Sequence, residues 1–148
     1  MSGGPIVSFE VGSRWPDLVA PPVSRARLAL YAGASGDHVP LHIDTDVARR
    51  AGMPDVFAHG MLSAAWLGRM LTAWVDQDRI RRIELRFVGV VHLYNEATCS
   101  GRVIEQVEHD GLPCVRVDLE LKNQYGEPKV LGSAIVALPG RRRTENHR

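Results

Sequence analysis

The sequence predicts an α+β fold in which a curved antiparallel sheet wraps one long central helix. Three observations carry this reading. Residues 61–75 form a helix-length run that is apolar almost all round. Two later runs, 82–87 and 115–122, alternate apolar and charged residues with the two-residue period of a strand. Turn residues separate about four such strands with no helix between them, so sequential strands pair antiparallel.

The elements follow in order. The first twenty-odd residues read as strand and loop, punctuated by Gly12, Pro16, Pro21 and Pro22. Ser24 reads as the N-cap of a helix over 25–34 that Gly33 and Gly36 close. A loop from Asp37 to His42 comes next. Asp44 or Thr45 caps a short helix over 46–51, which Gly52 and Pro54 stop. Phe57-Ala58-His59-Gly60 leads into the long helix, and residues 76–79 break it. Ile83, Leu85 and Phe87 alternate with Arg82, Glu84 and Arg86. Val115, Val117, Leu119 and Leu121 alternate with Arg116, Asp118, Glu120 and Lys122. Further strands fit 97–107 and 129–138, with turns at 108–113 and 123–128. A helix with so little polar surface needs cover on most sides. A strongly curved sheet supplies it, and this is the hotdog architecture. An open sheet keeps an edge strand, so pairing with a second copy or a relative is expected.

With 148 residues the chain is expected to be a single domain over 1–140, followed by a basic, disordered tail over 141–148. Hydrophobic residues are 45% and charged residues 24%, as in ordinary globular proteins. A net charge of +1 gives no field to gather nucleic acid or an acidic membrane surface. The apolar run over 60–75 is interrupted by Arg69 and is short for a membrane span. Cys99 and Cys114 lack metal-ligand spacing and read as small buried hydrophobes. The first residues, Met-Ser-Gly-Gly-Pro, carry no signal pattern, so a cytoplasmic protein is expected.

The segment Ala34-Ser-Gly-Asp-His-Val-Pro-Leu-His-Ile43 holds the chemistry. Asp37 and His42 lie five residues apart around Pro40, which stiffens the chain. A carboxylate and an imidazole held together can move a proton on and off water. Taken alone, the spacing equally suits an aspartate that closes a turn and a histidine that packs. Other site types are missing. No Gly-rich phosphate loop opens a helix, and no Gly-x-Ser-x-Gly elbow presents a nucleophile. His38 and His42 are four apart, but Pro40 prevents a shared helical face for a metal.

The stretch from Tyr31 to His42 resembles the hydratase signature of the MaoC-like enzymes, R-specific enoyl-CoA hydratases and 3-hydroxyacyl dehydratases. Ala58-His59-Gly60-Met61-Leu62 resembles that family's second block, and 82–91 the strand after its helix. The resemblance runs from about residue 11 to residue 138. It implies a hotdog fold and a hydro-lyase acting on a 2-enoyl or R-3-hydroxyacyl thioester. Asp37 and His42 are then the catalytic pair. Gly60 offers a backbone N–H at the helix start to the thioester oxygen, where the helix dipole assists. His59 either bonds the Asp37 loop or is a satisfied helix-end histidine. The resemblance implies no metal and no cofactor beyond coenzyme A or acyl carrier protein, which enters as part of the substrate. The acyl tail is expected against apolar residues such as Leu62 or Trp66.

Two departures stand out. The family commonly has Asn where this chain has Val39, and Val cannot tie the loop down through an amide. Some hydratases carry a Ser where Ala65 stands, and Ser63 points elsewhere on the helix. Two other readings compete: a non-catalytic hotdog subunit beside a catalytic partner, and a hotdog thioesterase. The long helix has no carboxylate before Asp76 to serve the second.

Overall fold

A computed structural model describes residues 7–140; the basic tail over 141–148 lies outside them. The element order is β1 (Arg14–Val19), α1 (Arg25–Ser35), α2 (Thr45–Arg50), α3 (Gly60–Trp74), β2 (Ile80–Phe87), β3 (Thr98–His109), β4 (Leu112–Lys122) and β5 (Pro128–Ala137). The strands form one antiparallel sheet in the order β1-β3-β4-β5-β2. Register shifts interrupt each pairing, for example between Val103 and Glu105 of β3. Such irregularities bend strands and help the sheet curl around α3.

Local chemistry sets the helix ends. Ser24 caps α1 by accepting the Arg27 N–H at 3.1 Å. Gly36 ends it in the left-handed region at φ 76°, returning its N–H to Ala32. Asp44 caps α2 through the Asp46 and Val47 amides. The β3–β4 hairpin turns on Asp110 and Gly111, both at positive φ, as a two-residue turn demands.

The core lies between α3 and the middle strands. Val115, Val117, Leu119 and Leu121 of β4 turn inward with Val103, Val130 and Val136 of its neighbours. Leu67, Met70 and Leu71 meet them from α3 and are fully buried. Cys99 and Cys114 are buried free thiols, and burial pushes Cys99 up to about 12. No helix among the described residues is long and apolar enough to cross a membrane.

Two expectations need correction. The long helix is not buried on most sides. Ser63, Leu67, Met70 and Leu71 face the sheet, whereas Met61, Ala65, Arg69 and Thr72 form an exposed stripe on the other side. A single sheet covers one face of a helix, and among the described residues nothing covers the other. Likewise, the apolar side of β2 is packed only in part, with Leu85 against the core. Ile83 is 43% and Phe87 49% exposed. Among the described residues, β2 is the last strand of the sheet and is bonded on one side only, to β5.

Candidate active site

The left-handed turn at Gly36 ends α1 and redirects the chain, so Asp37 begins a short exposed loop. The Asp37 N–H is held by the Ser35 hydroxyl at 3.2 Å. Its carboxylate Oδ1 accepts the Val39 N–H at 3.2 Å, an Asx turn that orients the acid from within the loop. Val39 is therefore not idle. It lacks an amide side chain, but its backbone N–H holds Asp37. Val39 sits at ψ 122°, the extended geometry a residue before proline adopts. Pro40 then opens a single 3₁₀ turn that ends on His42.

His42 is half-buried, and its orientation is decided by one bond. Its Nδ1 lies 2.7 Å from the Phe57 carbonyl oxygen. A carbonyl can only accept, so Nδ1 carries the proton and Nε2 keeps its lone pair in the neutral ring. That is the tautomer a general base needs. The ring also packs edge-on against Phe57 at 4.9 Å and stacks on His59 at 3.9 Å.

His59 precedes the first residue of α3 and is buried. Its Nε2 donates to the Asp37 main-chain oxygen at 3.1 Å, so it bonds the Asp37 loop. Its Nδ1 finds no partner among the described residues. Leaving such an atom unpaired costs about 1–3 kcal/mol, which the stacked rings and the loop contact must offset. Tyr31 meets the same ring edge-on at 4.8 Å. Burial, and then the charge of Asp37, hold the Tyr31 hydroxyl above its usual range.

Gly60 opens α3. His59 offers no side-chain cap, and among the described residues no group accepts the Gly60 N–H. Free N–H groups at a helix start are ready-made donors to negative charge. A Cβ on Gly60 would stand 3.3 Å from the Phe87 ring, tighter than packed atoms normally sit. The bare backbone is what admits that ring, and it keeps the donor approachable.

One carboxylate oxygen of Asp37 and one ring nitrogen each of His42 and His59 lie within 4.8 Å of one another. Three such groups this close can serve a metal or a proton. His42 Nδ1 and His59 Nε2 are committed as donors to main-chain oxygens, which leaves His42 Nε2, His59 Nδ1 and the Asp37 carboxylate as the free acceptor atoms of the cluster.

A family model described as "MaoC like domain" matches residues 13–124, about three-quarters of the chain. This chain belongs to the MaoC-like dehydratase family. Its fold is that of the R-hydratase PhaJ1 from Pseudomonas aeruginosa, with a TM-score of 0.76 and 27% identity over 88% of this chain and 82% of that one. The (R)-hydratase from A. caviae is similar, with a TM-score of 0.73 and 27% identity over 88% of this chain and 97% of that one. Among curated sequences, the fatty acid synthase subunit beta of Aspergillus oryzae is 32% identical over a 120-residue alignment that covers 70% of this chain. This chain spans only 6% of that subunit's length. A 3-hydroxyacyl-thioester dehydratase X of Mycobacterium tuberculosis is 42% identical over 43 residues, covering 29% of this chain and 15% of that protein.

Within this MaoC-like chain, all four residues singled out from the sequence come to one end of α3. Asp37, His42 and His59 form the cluster, and Gly60 adjoins it through His59. Ala65 is exposed and Ser63 is buried, so the two face different sides of α3, as expected from their spacing. Two participants had no signature to find. The Phe57 oxygen that sets the His42 tautomer is a main-chain atom. Phe87 reaches Gly60 from a strand more than twenty residues later.

Proposed function

We propose that this chain is a hydro-lyase that adds water to a 2-enoyl thioester, or removes it from an R-3-hydroxyacyl thioester. The observation that carries this is the joint placement of Asp37 and a His42 whose Nδ1 is tied to Phe57. In hydration, His42 Nε2 and the Asp37 carboxylate hold a water. One of the two accepts its proton as the oxygen attacks the β-carbon. A proton is then returned to the α-carbon, so water adds across the double bond. Negative charge grows on the thioester oxygen meanwhile, and the Gly60 N–H meets it. One such donor is worth about 10²–10³-fold in rate. The reaction needs no redox group. Coenzyme A or acyl carrier protein enters as the carrier of the acyl chain, and Leu62 and Trp66, half-buried on α3, would meet its tail.

The site is open in one chain. Asp37 and Gly60 are exposed, and so are Val39, Ile43, Met61, Phe87 and Val88. This apolar rim supports completion by a second hotdog subunit, a copy of this chain or a relative. It also favours the runner-up, a subunit that acts only beside a catalytic partner. A thioesterase role has less support, because α3 carries no carboxylate.

The test is hydration of crotonyl-CoA and longer enoyl-CoA esters by the purified chain. Asp37→Asn and His42→Ala are each expected to slow turnover by about 10²–10⁴-fold. An inert wild type, or an Asp37→Asn enzyme at full rate, would overturn the proposal. Activity that requires a second hotdog protein would support the runner-up.

A further inference from the structure

His42 owes its tautomer to one carbonyl, so whatever holds that carbonyl against the ring governs the base. Two segments meet there. Residues 42–45 carry the ring and the start of α2, and residues 55–57 carry the acceptor. Two rungs join them. His42 Nδ1 donates to the Phe57 oxygen at 2.7 Å, and the Thr45 hydroxyl donates to Asp55 Oδ1 at 2.7 Å. The second rung sets the register of the first.

Asp55 is anchored beyond this pair. Oδ1 also accepts the Val56 N–H at 2.7 Å, and Oδ2 meets the Arg25 guanidinium at 2.5 Å. Arg49 lies at 3.6 Å from the same oxygen. The Asp55 side chain is only 16% exposed, and its bonds to Thr45 and the Val56 N–H are part-buried, whereas the arginines reach it from the surface. Arg25 is the first residue of α1, and Asp37 follows that helix's other end. A helix is a stiff rod, so gripping one end constrains the other. Arg25 also reaches the Tyr94 hydroxyl at 3.3 Å, and Tyr94 is held at φ 66° by bonds from its N–H to Val23 and to its carbonyl from Gln124. Sustained positive φ at a non-glycine residue marks a segment whose surroundings over-determine it.

We propose that Thr45, Asp55 and Arg25 form a latch that positions the acid–base pair: Thr45 and Asp55 hold His42 in its Nδ1–H tautomer against Phe57, and Arg25 ties this segment to the helix that presents Asp37. None of the three touches the reacting atoms; they are positioning residues, and their effect on turnover rests on the hydro-lyase reading above.

The decisive variant is Thr45→Val, which keeps a β-branched shape and removes the hydroxyl. Two readouts are taken on the full chain: ¹⁵N imidazole shifts of His42, and the kcat and KM for crotonyl-CoA. The expected result is a change from a single Nδ1–H tautomer to a mixture. kcat falls about 10- to 100-fold, the scale of a small misplacement of a catalytic group. KM stays within about twofold, because no substrate contact is lost. Thr45→Ser restores the hydroxyl, and both readouts return to wild type. A Thr45→Val protein with unchanged tautomer overturns the latch, and so does a Thr45→Ser protein as impaired as Thr45→Val. If Thr45→Val does not fold, Arg25→Gln is read instead, with the same direction of change expected and an unchanged tautomer counting against the latch. The tautomer readout needs no turnover. A chain that fails to hydrate enoyl-CoA refutes the hydro-lyase reading and leaves the latch to be judged on the spectrum.

Discussion

Gly60 shows how much a missing side chain can do. Its N–H has no acceptor among the described residues, and the Phe87 ring occupies the space a Cβ would crowd. A methyl at Gly60 must push that ring by a few tenths of an ångström. The ring is the far end of a side chain on an open strand, so it can yield, and the fold should survive. The thioester oxygen has less room to yield. Gly60→Ala is therefore expected to keep its melting temperature within a few degrees and to lose rate by up to the about 10²–10³-fold that one oxyanion donor supplies. Thermal melting alongside steady-state kinetics checks this, and wild-type kcat in Gly60→Ala would remove Gly60 from the mechanism.

Asp37 and His42 behave differently from Gly60, because each is held by backbone. Asp37 leans on the Val39 N–H and His42 on the Phe57 oxygen. A side chain at residue 39 was the expected tie for this loop, yet the main chain does the holding. The identity of residue 39 could be read in the sequence; the bond made by its N–H could not, since every residue but proline has one.

At the scale of elements, Asp55 joins α1, α2 and the segment before α3. Hydrogen bonds from Arg25, Thr45 and the Val56 N–H pull its carboxyl from an ordinary 3.8 down to about 2. The sign follows directly. A carboxyl that is more acidic in the folded state stabilises the fold fully above about pH 4, and this contribution is lost as pH falls toward about 2. Acid titration followed by circular dichroism should thus show wild type losing stability across that window. Asp55→Asn should lack this component and start from a lower stability at neutral pH. Equal acid profiles for the two proteins would mean that Asp55 carries no such linkage. Helices α1 and α2 were legible from their caps: Ser24, Gly36 and Asp44 each do what their residue type does at a helix end. The lateral ties among these short helices were not legible, because Arg25, Thr45 and Asp55 are far apart along the chain and ordinary in kind.

At the scale of the molecule, the unpaired edge of β2 and the open face of α3 adjoin one another. Met61, Ile83, Phe87 and Val88 expose apolar surface there, beside Val39 and Ile43 of the site loop. Clustered apolar exposure of this kind marks an interaction surface. The chain is expected to sediment at twice its own mass, and Ile83→Lys with Phe87→Glu to shift it toward the monomer and reduce hydration. A wild type that sediments as a monomer at every concentration, yet hydrates enoyl-CoA, would show that the rim needs no cover.

The family, the strands and helices, and the residues Asp37, His42, His59 and Gly60 were all legible in the order of the amino acids. These rest on short-range physics: side-chain period, cap chemistry and two motif blocks that need no knowledge of the rest of the chain. Three things came only with the folded chain. It set the His42 tautomer through Phe57, brought Phe87 over Gly60, and left one face of α3 and the outer side of β2 open. Each depends on which distant backbone atoms or strand edges meet. An apolar residue reads the same in sequence whether its partner lies in its own chain or in another.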